Sequence, residues 1–364
     1  MQDEEYMREA LELARNAEGR TSPNPLVGAV IVRGGRIIAA GWHRKAGTPH
    51  AEIHALRMAG DLARGATLYV TLEPCSHYGR TGPCAKAVAE AGIKRVVIGM
   101  KDPNPLVAGR GIQILEDAGI EVRCGVLEQE AVRLNEVFLH WIPEKMPFVI
   151  LKTAMSLDGK IATCAGESQW ISGEASRQYV HVLRDRYDGI LVGIGTVLAD
   201  DPSLTARLPD HTGKNPVRIV VDSQARTPHG AKVLTDGQAR TIVVVTERAP
   251  KDRVDSLRAA GAEVLVAGGG ERVDLRLMMQ KLGAMEITSI LVEGGGTIND
   301  ALLRAGLVDK VLAFVAPKLI GGREAKTPVE GRGFAHLQDA VQLEHFSAQP
   351  LGTDILLSGY VKKG

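Results

Sequence analysis

The sequence predicts an α/β protein built as two domains, and three observations carry that expectation. The chain has 364 residues, too many for one comfortable core and suited to two domains of roughly 100–200 residues each. Runs rich in Val, Ile and Leu alternate with helix-like runs through most of its length, which implies mainly parallel sheets covered by helices. The alternation breaks once, at PEKMP (143–147), where two prolines precede a fresh series of buried-type strands. The boundary is therefore expected near 146, with domains spanning 1–146 and 147–364.

The elements follow in order. The opening stretch MQDEEYMREALELARNAEG is acidic and amphipathic, with Met7, Ala10, Leu11 and Ala14 on one helical face and Gly19 as a stop. LVGAVIV and RIIAAGW flank Gly34-Gly35, a hairpin turn. A helix over about 50–58, the strand ATLYVTL and the loop EPCSHYGRTGPC come next. After them come a short helix over 84–91, the strand RVVIGM, a helix ending near Ala118, the strand IEVRCGV and the closing helix EQEAVRLNEVFLHWI. The second domain opens with FVILKTAMSLDG and continues through GILVGIG, VRIVVDS, RTIVVVT, AEVLVAG, ITSILVEGGG and KVLAFVAP.

Composition narrows the function classes. Apolar residues make up 45% and charged residues 24% of the chain, with a net charge of +1, so no basic face is advertised for nucleic acid or anionic membrane. No signal-like segment and no apolar run of about 18 residues is present, and only four cysteines occur. A cytoplasmic protein in a reducing compartment, acting on a small molecule and forming homo-oligomers, is the expectation.

Three candidate zinc ligands, His50, Cys75 and Cys84, all fall where the chain turns: a helix start, a strand end and the next helix start. Three protein ligands leave a fourth tetrahedral position for water, the arrangement of a catalytic zinc. Glu52 lies two residues after His50. Residues two apart do not share a helical face, but a cap residue points differently from the first turn, so both can address one point. The pattern H-x-E followed by P-C and a second cysteine is that of zinc deaminases, with the glutamate as proton shuttle and not as ligand. Eight residues, SHYGRTGP, separate the cysteines, where nucleic-acid deaminases usually have about two. That longer loop changes what can reach the pocket mouth, and its Arg80 and His77 are candidates to meet a substrate phosphate. A structural zinc with His77 or another side chain as fourth ligand is the competing reading; His43, His54, Cys124 and Cys164 are read as ordinary residues.

In the second domain, VEGGGTIND runs from a buried strand through Glu293 and three glycines into a helix. Such a turn lets backbone N–H groups approach a phosphate, although a plain tight turn would read the same way. VGIGTVLADDPSLTAR adds a second glycine-bearing strand end, with Thr196, Asp200 and Arg207 beyond it. Ligands of open α/β sheets sit outside the carboxyl ends of strands, so a dinucleotide and a polar substrate are expected there.

Taken together, NPLVGAV, HAEIHAL, VTLEPCSHYGRTGPC, DPNPLVAGRG, SLDGKIA, VGIGTVLADDPSLTAR, VEGGG and APKLIGG occur in an order that resembles the bifunctional riboflavin-biosynthesis deaminase/reductase family. The resemblance implies a cytidine-deaminase-like α/β/α sandwich followed by a dihydrofolate-reductase-like α/β domain. It implies zinc on His50, Cys75 and Cys84, Glu52 as the catalytic residue, and Asn24 in contact with the substrate. For the second domain it implies NADPH bound by Ala154, Trp170, Thr196, Asp200, Ser223 and the turn Gly295, Gly296, Thr297, Ile298. The substrate would be lined by Ser168, Arg184, Leu204, Arg207 and Glu293, with Lys152 near the reacting sugar and the arginines suited to phosphate. A tRNA or nucleoside deaminase with an accessory domain, and a non-enzymatic zinc module, are the rival classes. The neutral charge and the long cysteine loop oppose the first, and Glu52 opposes the second.

Overall fold

The computed structural model describes residues 2–76, 82–104, 108–209 and 213–363. The chain divides into two units, Met1–Lys145 and Met146–Gly364. Among the described residues, no helix is long and apolar enough to cross a membrane.

In the first unit, α1 (Gln2–Arg15) precedes the hairpin β1 (Gly28–Arg33) and β2 (Arg36–Trp42). Next come α2 (Ala51–Ala59), β3 (Thr67–Leu72), α3 (Cys84–Glu90), β4 (Arg95–Met100), α4 (Arg110–Asp117) and β5 (Glu121–Cys124). The last expected helix is two, α5 (Glu128–Leu134) and α6 (Glu136–Glu144), because Asn135 between them leaves helical geometry. Its side chain accepts the Leu26 N–H and donates to the Leu26 carbonyl, pinning this bend to the loop before β1.

The strands lie in the order β2-β1-β3-β4-β5, with β3, β4 and β5 parallel and the hairpin antiparallel. Two glycines set how the helices cover this sheet. A Cβ on Gly28 would strike the Ala10 carbonyl of α1, and one on Gly41 would lie 2.5 Å from the Ala51 carbonyl. Gly41 pairs with Ala29, the neighbour of Gly28, so the two glycines face opposite ways. Thus α1 and α2 cover opposite faces, and α2 is held against the hairpin with its N-terminus fixed. The four residues expected on the inner face of α1, Met7, Ala10, Leu11 and Ala14, are all buried.

The second unit starts with β6 (Phe148–Ser156), α7 (Glu174–Arg186), β7 (Gly189–Gly193), α8 (Ile194–Asp200), β8 (Val217–Val221) and α9 (Lys232–Thr235). It continues with β9 (Thr241–Val245), α10 (Lys251–Ala259), β10 (Glu263–Val266), α11 (Leu275–Ala284), β11 (Ser289–Val292), α12 (Gly296–Arg304) and β12 (Lys310–Ala316). The strands β13 (Leu343–Leu351) and β14 (Asp354–Val361), absent from the sequence reading, complete a sheet ordered β10-β9-β8-β7-β11-β6-β12-β14-β13. It is parallel from β10 to β12 and antiparallel beyond. Along β7, Leu191 joins one apolar cluster while Ile190 and Val192 join another. Both faces are therefore covered, which is why these strands read as unbroken apolar runs.

Candidate active sites

In the first unit, three elements deliver donor atoms to one point. His50 is the N-cap of α2, in extended geometry and making no side-chain cap bond, so its ring is free to turn away from the helix. Cys75 follows β3, and Cys84 opens α3. The His50 Nδ1 lies 3.6 Å from Cys75 Sγ and 3.3 Å from Cys84 Sγ, and the ligand atoms of the three residues all fall within 4.8 Å of one another. One imidazole nitrogen and two sulfurs converging this way match the donor set and spacing of a zinc site with one position open.

The electrostatics agree. The Cys84 backbone N–H donates to Cys75 Sγ at 3.3 Å. The hydrogen bond from Cys84 lowers the Cys75 thiol to about 4, against the cost of burial. Cys84 itself is pushed up, first by that same bond and then by burial. As a pair the thiols hold one proton, and a divalent cation at their meeting point would favour losing it. Glu52 is 3% exposed, and burial pushes its carboxyl up against the pull of His50. A carboxyl raised toward neutrality is suited to accept and return a proton.

Asn24 donates from Nδ2 to His43 Nε2 at 3.1 Å, while His43 Nδ1 donates to the Pro49 carbonyl at 3.2 Å. The His43 ring stands edge-on to His50, with centroids 5.2 Å apart. Sequence reasoning passed over His43 because a lone histidine carries no local signal. It also passed over Glu73, whose buried carboxylate accepts four backbone N–H groups, from Asp102, Gly109, Gly111 and Ile112. This carboxylate holds the β3 end, two residues before Cys75, to the start of α4. Arg80 and His77 lie outside the described residues.

In the second unit, a cavity of about 510 Å³ opens across the carboxyl ends of β8, β7 and β11. Thr196, Asp200, Ser223, Gly295, Gly296, Thr297 and Ile298 line it, and so does Ser168. Gly295 caps α12 in extended geometry without a side-chain bond, leaving the first N–H groups of that helix free for an anion. Ala154, on β6, and Trp170, 63% exposed with Arg177 stacked on its ring, are not among the lining residues.

Beside this cavity the structure gathers a second set. Glu293 accepts two bonds from Arg184, at 2.7 and 3.0 Å, and one from Lys152 at 3.4 Å. Burial opposes the Glu293 charge, but these two cations outweigh it and hold the carboxyl at about 2. Arg184 also donates to the Thr205 carbonyl at 3.1 Å. Its guanidinium fork is thus committed to Glu293, whereas the sequence reading offered it to a phosphate. The difference has a physical reason: a buried carboxylate must be paired. Arg207 remains partly exposed and bonds the Thr205 hydroxyl at 3.1 Å. Leu204 is buried with a positive φ of 53°.

Comparison with known proteins agrees with both halves of this geometry. Residues 1–100 match the zinc-binding region of cytidine and deoxycytidylate deaminases, and residues 147–357 match the RibD C-terminal domain. The riboflavin biosynthesis protein RibD of Actinobacillus pleuropneumoniae is 48% identical, covering 98% of this chain and 95% of its own. The chain belongs to the RibD family. The Bacillus amyloliquefaciens RibD is 47% identical over 100% of this chain and 97% of its own. Among solved structures, Acinetobacter baumannii RibD superposes with a TM-score of 0.89 at 40% identity, covering 100% of this chain and 99% of its own. The Thermotoga maritima diaminohydroxyphosphoribosylaminopyrimidine deaminase/5-amino-6-(5-phosphoribosylamino)uracil reductase does so at 0.87 and 38% identity, covering 99% of each. The chain is accordingly a bifunctional deaminase and reductase of riboflavin biosynthesis, with a zinc-binding deaminase domain and a reductase domain.

Proposed function

We propose that the first unit hydrolyses the exocyclic amine of 2,5-diamino-6-(5-phosphoribosylamino)pyrimidin-4-one, and that the second reduces the ribosyl group of the resulting uracil to ribityl with NADPH. The observation that carries the first half is the convergence of His50, Cys75 and Cys84 next to the buried Glu52. Those three residues would hold zinc, which when bound supplies the Lewis acidity that lowers the pKa of a water toward about 7. Glu52 accepts a proton from the attacking water and delivers it to the departing amine, which leaves as ammonia while the ring gains a carbonyl oxygen. Asn24, fixed by His43, presents a polar edge to the pyrimidine.

In the second unit the cavity would hold NADPH, whose chemistry when bound is hydride donation to the sugar C1′. The glycine turn at Gly295 and Gly296 would hold the pyrophosphate on backbone N–H groups. Thr196, Asp200, Ser223, Thr297 and Ile298 shape the walls, and the Lys152–Glu293–Arg184 cluster sets charge at the sugar end. Ser168, Leu204 and Arg207 complete the substrate side, Arg207 being the arginine left for the phosphate. The identity of the substrates rests on the relatives.

Ammonia release and NADPH oxidation followed in parallel test this reading. Glu52→Gln should stop ammonia release while leaving oxidation driven by the deaminated substrate unchanged. Full ammonia release by that variant would remove Glu52 from the mechanism.

A further inference from the structure

One histidine sits among the charges beside the cavity. His181, on α7, is half-buried and feels the guanidinium groups of both Arg184 and Arg207. Its Nδ1 lies 3.2 Å from the Thr205 carbonyl and its Nε2 lies 3.4 Å from Arg207 Nη2. A guanidinium donates and cannot accept, so Nε2 is the acceptor and Nδ1 carries the proton, given to Thr205. The other tautomer, with Nδ1 accepting the Arg207 backbone N–H at 3.3 Å, would set an Nε2 proton against a cation. The ring is therefore neutral. Burial first, then the charges of Arg184 and Arg207, hold its pKa at about 4, against the opposing pull of the Thr205 carbonyl and Glu293.

Thr205 ties this ring to its neighbours. It is 2% exposed, its carbonyl accepts from His181 and from Arg184, and its hydroxyl accepts from Arg207 Nη1 at 3.1 Å. Arg207 is thus gripped at both terminal nitrogens, by a hydroxyl at one and an imidazole at the other. Both grips are neutral. Among the described residues no carboxylate pairs with Arg207, so its charge is not cancelled. Arg184, joined to the same carbonyl, is committed to Glu293 instead.

Resting on the reading of Arg207 as the arginine that meets the substrate phosphate, we propose that His181 is a positioning residue that fixes the Arg207 fork for that phosphate without neutralising it. A carboxylate in the same place would fix the fork equally well but would compete with the phosphate for its charge. A neutral imidazole supplies the acceptor alone. An exposed arginine has rotamer freedom that binding must remove, and the ring removes part of it beforehand. The three N–H groups that the two grips leave on the fork are the donors that a phosphate takes.

The test is steady-state reduction, by the full-length chain at saturating NADPH, of the deaminated substrate and of the same compound lacking its 5′-phosphate. Wild type, His181→Leu, His181→Gln, Arg207→Gln and the His181→Leu/Arg207→Gln double variant are compared. His181→Leu should raise KM for the phosphorylated compound about fivefold to tenfold with kcat unchanged, the mark of lost uniform binding. For the compound without phosphate, kcat/KM should not move. His181→Gln, whose amide gives and accepts as the ring does, should restore most of the loss. In the Arg207→Gln background, His181→Leu should add nothing. The ratio of the His181→Leu KM to the wild-type KM should stay constant from about pH 8 to about pH 6, where an ordinary histidine would titrate. A ratio that grows as pH falls would mean that the ring meets the phosphate as a cation, and overturns the proposal. Equal losses with both compounds, or full additivity with Arg207→Gln, overturn it as well. If Arg207→Gln distinguishes the two compounds and His181→Leu does not, only the role of His181 falls. If Arg207→Gln treats the two compounds alike, Arg207 is not the phosphate arginine and both readings fall.

Discussion

The two units build their sites in opposite ways. In the first, three side chains within one stretch from His50 to Cys84 aim their own atoms at a point, and a buried glutamate leans over it. In the second, the cavity draws on residues from Ile161 to Glu330 and is shaped largely by backbone turns after β7 and β11. A metal needs a few defined donor atoms at short range, whereas a dinucleotide needs a long groove with N–H groups and a few charges. On the proposed reading, catalytic chemistry is carried by side chains in one unit and by cofactor placement in the other.

Substitutions sharpen that contrast. The largest effect expected is from Glu52→Gln, which should slow ammonia release by about 10³-fold or more, with reduction of the deaminated substrate unaltered. Loss of both activities together would mean that the sites are not separable. Glu293→Gln comes next. It leaves Arg184 and Lys152 facing an uncharged amide, and should cost the second unit about 3 kcal/mol in urea unfolding. Zinc retention, read by metal analysis, should be unaffected.

Acid provides the same test without mutation. Glu293 is held at about 2, below the usual value of about 4.3 that the unfolded chain would show. The unfolded state takes the proton first as pH falls. The stabilisation is complete above about pH 4.5 and disappears on descending toward 2. In Glu293→Gln that part of the acid sensitivity should be absent.

Smaller effects belong to the supports. Glu73→Gln weakens the anchor behind Cys75 and should lower zinc affinity about tenfold, as loss of an outer-shell partner does. Zinc competition with a chromogenic chelator would read it. Asp3 pairs with Arg95 at 2.9 Å and Arg123 at 2.7 Å, and accepts from Tyr69 at 2.8 Å. The Arg95 bond holds its carboxyl well below the usual range. Asp3→Asn should cost the first unit about 1–2 kcal/mol at neutral pH and progressively less in acid, because the unfolded chain takes up the Asp3 proton at a higher pH than the folded one. An equal cost at pH 3 and pH 7 would contradict that origin.

What the sequence disclosed follows the same division. The convergence of His50, Cys75 and Cys84 was legible because a short motif ties residue type to a helix cap and a strand end. The apolar strands of the second unit were legible because burial on both faces leaves unbroken Val and Ile runs. The hairpin β13–β14 was not: along β13 nearly every residue is exposed, so pairing with β14 defines it and no buried face writes a period into the sequence. The commitment of Arg184 to Glu293 was also hidden. The two residues are 109 positions apart, and a charge in sequence does not name its partner. Asn135, splitting one expected helix in two, acts through the distant Leu26.

The most direct measurement is NADPH oxidation by the purified chain, supplied with either the diamino pyrimidine or its deaminated counterpart, with and without a zinc chelator. Two separate sites predict that both substrates drive oxidation and that the chelator stops only the diamino one. Oxidation of the diamino substrate that survives complete zinc removal would contradict the account, because reduction would then not wait on the site at His50, Cys75 and Cys84.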